Sequence, residues 1–147
     1  MFLKLSLLAI FGIAMAHFEG VVVVYLRKAL GMLDSDGNKE SAEKIPKRFL
    51  YIEMTREAAT IIMLVVIAIL VGTTWLERGV FFLWTFAFWD LFYYLSLYIL
   101  IKWPPTLKTI DVLFLIPVPW IAPVWFPVGV SLLTIICILA LNMLKVL

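Results

Sequence analysis

The sequence has only one cysteine, one histidine and few charged residues. Cys137 can form no disulfide bond within the chain, and a single histidine excludes a b-type haem held by two histidines of this chain. Charged residues make up 15% of the chain, whereas about a quarter is usual in soluble domains. The net charge of +2 is too small and too scattered to indicate nucleic-acid binding. The sequence also has no phosphate-binding loop and no recognisable nucleophile motif.

What the chain has in excess is apolar surface. Hydrophobic residues make up 65% of its 147 residues, and the mean hydropathy is +1.09. A soluble fold of this length leaves too much of its surface in water to hide so many apolar side chains. The composition therefore predicts an integral membrane protein in contact with lipid, and we expect a bacterial inner membrane.

The apolar runs predict an all-α fold, a single transmembrane domain consisting of a four-helix bundle. A transmembrane helix needs about twenty mostly apolar residues. Between the first two runs lies a hydrophilic loop at 31–48. Between the last two lies a proline-rich loop at 103–123, which we expect to form an interfacial or re-entrant segment, because non-helical backbone at membrane depth must be buried in protein or face water. The predicted spans are about 2–26, 49–71, 80–101 and 124–144.

Basic residues predict the orientation of the bundle. Cytoplasmic loops of membrane proteins carry an excess of lysine and arginine. Here the two longer loops and their flanks hold most of these residues, whereas Lys4, Arg78 and Lys145 lie on the opposite side. We therefore expect loops 31–48 and 103–123 in the cytoplasm and both termini outside.

Ionisable residues inside the spans are the strongest functional signal, because they are costly in a membrane and usually functional. From the cytoplasmic ends, Glu19 and Glu57 each lie roughly 12 Å deep and Asp90 roughly 18 Å deep. Such similar depths on three helices predict one buried polar cluster. Its expected members are His17, Glu19, Glu53, Arg56, Glu57 and Asp90, with Tyr93, Tyr94, Thr60 and Asp111 in support.

Helical spacing refines this cluster. Glu53, Arg56, Glu57 and Thr60 follow each other at i, i+3, i+4 and i+7, which predicts a continuous polar stripe. Arg56 should bridge Glu53 and Glu57 or reach a carboxylate on another helix. His17 lies about 200° from Glu19 on an ideal helix, so both cannot point directly at one site. The simpler alternatives are a structural ion pair between Glu53 and Arg56 and a packing role for the histidine.

Three functions are compatible with such a cluster. His17, Glu19, Glu57 and Asp90 could bind a metal of the iron or manganese type, as in a small membrane metalloenzyme. The carboxylates could instead handle protons or cations, with the paired Glu53 and Glu57 holding protons with shifted affinity, in a stand-alone oligomeric transporter. The third hypothesis is a small subunit of a larger membrane complex, of redox or energy-converting type, which binds other membrane subunits or copies of itself. The subunit hypothesis explains the small size of the chain best. It is compatible both with metal binding and with proton handling at the cluster.

Overall fold

The computed structural model describes residues 1–31 and 46–144, and this part of the chain contains four helices that are long and apolar enough to cross a membrane. These helices confirm the prediction of a membrane protein with a helical bundle. Predicted and observed helix ends agree within a few residues. The helices are α1 (Phe2–Ala29), α2 (Lys47–Val71), α3 (Trp75–Ile101) and α4 (Trp125–Met143).

The largest difference is at the start of α3, which was expected near residue 80 and begins at Trp75. The Thr74 hydroxyl accepts a hydrogen bond from the Glu77 backbone N–H at 3.2 Å, and the Glu77 carboxylate accepts one from the Thr73 N–H at 2.8 Å. These bonds satisfy amide groups that the first turn of a helix leaves without partners. The helix therefore starts at this cap and not at the first purely apolar residue.

Helix α3 is the central element, and α1, α2 and α4 all pack against it. Its approach to α1 is especially close. A Cβ atom added at Gly12 would lie 2.8 Å from the Thr85 carbonyl oxygen, and one at Gly20 would lie 3.0 Å from the Ser96 Cβ. Ala16, between the two glycines, is fully buried. Small residues spaced four apart let membrane helices approach closely, so this stripe sets the rotation of α1 in the bundle.

All four helices meet in an apolar cluster in one half of the bundle. The Trp84 indole N–H from α3 donates to the Leu5 carbonyl on α1 at 2.8 Å. The Lys4 ammonium group donates to the Val71 carbonyl at the end of α2 at 3.1 Å. This half is thereby closed by packing and by contacts between the helices. The cluster consists of Leu5, Leu8, Ala68, Phe81, Trp84 and Ile138.

The proline-rich loop forms an antiparallel β-hairpin, which the sequence analysis did not predict. Strand β1 (Ile110–Phe114) pairs with β2 (Trp120–Pro123), with Asp111 opposite Ala122. β-Branched and aromatic residues favour strands. Pro117 and Pro119 lie in the turn, and Pro123 is the last residue of β2, where a proline is tolerated. The predicted loop 31–48 falls mainly outside the described residues.

Candidate functional site

A cavity of about 340 Å³ lies in the half of the bundle opposite to the apolar cluster. All four helices and the hairpin contribute to its wall. Every predicted site residue except His17 lines this cavity, together with Arg27 and Ser131, which the sequence analysis did not include. Its polar lining consists of Glu19, Arg27, Glu53, Arg56, Glu57, Thr60, Asp90, Tyr93, Tyr94, Asp111 and Ser131.

Glu19 is the most extensively bonded carboxylate of the cavity. It is only 3% exposed and accepts hydrogen bonds from the Arg56 guanidinium group at 3.0 Å and from the Trp89 indole N–H at 2.7 Å. The Thr60 hydroxyl donates a further bond to it. Glu19 therefore links α1 to both α2 and α3.

Arg56 connects two carboxylates. Its Nε atom donates to Glu53 at 2.9 Å, one turn earlier on α2, and its Nη1 atom reaches Glu19 on α1. This is the second of the two expected arrangements, in which Arg56 reaches a carboxylate on another helix. A guanidinium group can serve two acceptors at once. The single positive charge of Arg56 thus serves the carboxyl groups of both Glu53 and Glu19.

Glu57 holds the hairpin against α2. Its two carboxylate oxygens accept hydrogen bonds from the backbone N–H groups of Leu115 at 2.8 Å and Ile116 at 3.1 Å. These residues directly follow β1, where the chain turns. Glu53 and Glu57 are each bonded to their own donors. Glu57 satisfies two amide groups that the turn leaves unpaired.

Asp90 receives fewer hydrogen bonds than Glu19 or Glu57. It is 7% exposed, and the one donor it receives among the described residues is the Ser131 hydroxyl of α4, at 2.8 Å from Oδ2. Its neighbour on the hairpin, Asp111, accepts a bond from the Tyr94 hydroxyl at 3.0 Å. Burial raises the pKa of Asp111, whereas the Arg27 charge and the bond from Tyr94 act against this rise. Both carboxyl groups face the same cavity.

His17 is outside this site, which corrects the expectation that it converges with the carboxylates. Its side chain is exposed on the outer face of α1, and its Nδ1 atom lies 3.3 Å from the Ser96 hydroxyl of α3. The rotation of α1 that buries Glu19 turns His17 away. Among the described residues, no three histidine, cysteine or acidic side chains are grouped so that they could hold a metal ion. The ligand set of His17, Glu19, Glu57 and Asp90 is therefore not assembled.

Three contributors to the site were missed in the sequence, for different reasons. Ser131 is a polar residue in an otherwise apolar span, a signal that could have been used. Arg27 was treated only as a charge that marks the end of α1. Trp89 stands in a run of aromatic residues, where nothing distinguishes the one indole N–H that bonds a carboxylate.

A comparison of the chain with protein-family models, with curated proteins and with solved structures finds no match. The arguments for a function are therefore the geometry and the charges of the cavity.

Proposed function

We propose that this chain is an integral membrane protein that binds and releases protons at Asp90, inside the acidic cavity. The proposal takes up the proton-handling hypothesis from the sequence. That the chain works as a subunit of a larger membrane complex stays a prediction. The single observation that supports proton exchange most strongly is a buried carboxyl group with one hydroxyl donor, facing a cavity.

The three glutamates of the cavity are each bonded to defined partners. Glu19 and Glu53 share the Arg56 charge, and Glu57 receives two backbone N–H bonds. The carboxylate oxygens of these three groups are therefore engaged in contacts that hold the helices and the hairpin together.

Asp90 can change its protonation state at lower cost. A buried carboxylate with few donors is expensive when ionised. The Ser131 hydroxyl can donate to ionised Asp90, and it can accept a bond from the protonated acid, because a hydroxyl is both donor and acceptor. One hydrogen bond thus persists in either state.

The charges around Asp90 come from α1, α2 and the hairpin. Asp111 lies on the hairpin and acts on Asp90 as a like charge. Arg27 of α1 and Arg56 and Glu57 of α2 line the same space. The volume exceeds by far what one water molecule needs, and the polar lining offers partners for water. Water in the cavity would connect Asp90 with these groups and supply the path for a proton.

Infrared difference spectroscopy tests this proposal. In the purified protein, we expect acidification to produce a carboxylic-acid C=O band that the Asp90→Asn variant lacks. The Ser131→Ala variant should keep the band and shift its frequency, because the hydrogen bond to the acid is lost. Glu77→Gln, at the opposite end of α3, is the matched control and should leave the band unchanged. An identical band in wild type and Asp90→Asn would refute proton exchange at Asp90.

We also propose that the cavity end of the bundle faces the cytoplasm. Arg27, Lys28, Lys47 and Arg48 lie at this end, whereas Lys4 and Arg78 lie at the other. In a Cys137→Ser background, a cysteine at position 47 should react with a membrane-impermeant maleimide only from the cytoplasmic side. A cysteine at position 73 should react only from the opposite side. The reverse pattern would overturn the orientation.

A further inference from the structure

We propose that the cavity is a binding site for an amphipathic amine, whose ammonium group pairs with Asp90 while its alkyl part lies against the apolar wall. The inference deepens the proposed function, because both assign Asp90 a role in the cavity. It names a ligand class, however, and can fail while proton exchange stands.

The charges of the cavity favour a cation. Five carboxyl groups line it and only two guanidinium groups. Arg56 is already engaged by two carboxylates, and Arg27 lies over the Trp103 ring, 4.1 Å from its centroid. The carboxyl groups outnumber the guanidinium groups, and a cation would reduce the repulsion between Asp90 and Asp111.

A second, independent observation is the hydrogen bonding of Asp90. Asp90 is more than nine-tenths buried and lines the cavity, yet its Oδ1 atom has no hydrogen-bond donor within the described part of the chain. Buried polar groups are normally satisfied. An ammonium group has up to three N–H donors and would supply the donor that the Asp90 Oδ1 atom lacks. The half-buried Tyr93 side chain lines the same space.

The rest of the wall suits an apolar ligand body with a positive head. Aromatic rings stand in succession along α3: Phe86 and Trp89 have centroids 5.3 Å apart, and Trp89 and Tyr93 6.1 Å apart. Aromatic faces attract cations, most strongly where water is excluded. The volume of about 340 Å³ falls at the lower end of the range for small-molecule sites. The aliphatic part of the wall includes Val23, Leu26, Ile61, Leu113 and Val130.

The amine could belong to a free molecule or to the headgroup of a lipid, and the shared chemistry is the ammonium group. The probe for the first source is octylammonium, titrated into the detergent-purified full chain while indole fluorescence is followed. For the second source, native mass spectrometry measures retention of phosphatidylethanolamine relative to phosphatidylglycerol. Either result, if it depends on Asp90, supports the proposal and identifies the source.

We expect octylammonium to bind saturably, and Asp90→Asn to weaken its binding at least tenfold. Octanol and octanoate, which have the same chain without the positive charge, should not compete. Glu77→Gln, at the opposite end of α3, keeps the Asp90 charge and should retain binding, and circular dichroism checks that both variants fold. Equal affinity of wild type and Asp90→Asn, or equal binding of octanol, would overturn the amine site. If amine binding fails while the Asp90 infrared band persists, the proton-exchange proposal is unaffected.

Discussion

Replacing Arg56 by methionine is expected to lower the free energy of unfolding by about 3 kcal/mol, as observed when one partner of a buried ion pair is removed. The substitution leaves Glu19, which is 3% exposed, and Glu53 without the cation that they share. The Arg56 side chain is 26% exposed, which places the expected loss at the low end of the range for buried pairs. Denaturant unfolding in mild detergent, followed by circular dichroism, measures this loss.

Two further variants separate the charge effect from lost packing. Adding Glu19→Gln to Arg56→Met removes one uncompensated carboxylate, and we expect the double variant to be more stable than Arg56→Met alone. Lys47→Met removes an exposed lysine at the start of the same helix and should change stability by less than about 0.5 kcal/mol. Equal losses in Arg56→Met and Lys47→Met would contradict the role of Arg56 as the shared cation of the site.

The spans and the depth of the polar residues could be predicted because the lipid bilayer imposes simple rules. A stretch that crosses the hydrocarbon must be apolar over a known length, and depth follows from the helical rise. Glu19, Glu57 and Asp90 were therefore placed in one layer without any knowledge of contacts. The cross-helix bond of Arg56 was one of two arrangements that its position on α2 allowed.

Rotation about a helix axis could not be predicted in the same way. His17 and Glu19 are separated by a fixed angle, but which of them turns inward depends on the face that α1 presents to α3. The close contact at Gly12 and Gly20 decides this. The spacing of small residues on α1 was available in the sequence and would have favoured the observed orientation.

The hairpin was missed because its strands are short and its anchor lies elsewhere in the chain. A short apolar run cannot be assigned to strand or helix by periodicity alone. The anchor is Glu57 of α2, whose carboxylate binds the backbone of Leu115 and Ile116. Hydrogen bonds to backbone N–H groups cannot be recognised from the order of side chains. The sequence analysis therefore assigned Glu57 to the polar cluster and not to the support of the hairpin.

The second large effect expected is residue-selective labelling of Asp90 by an apolar carbodiimide. Such a reagent partitions into the membrane and reacts with a carboxyl group that is protonated. Glu19 and Glu53 are paired with Arg56, and Glu57 accepts two N–H bonds, so we expect these engaged groups to react less. Asp90 has a single hydroxyl donor, and the proposed function predicts that this carboxyl group is the one that becomes protonated.

Peptide mapping by mass spectrometry after this labelling is the most direct measurement of the central claim, that Asp90 is the proton-exchanging carboxyl group of the cavity. We predict an adduct on Asp90 whose rate of formation falls as the pH rises and which octylammonium suppresses. Asp90→Asn should remove the adduct and leave no new one on Glu19 or Glu57. An unmodified Asp90 beside a labelled Glu19 or Glu57 would contradict the claim.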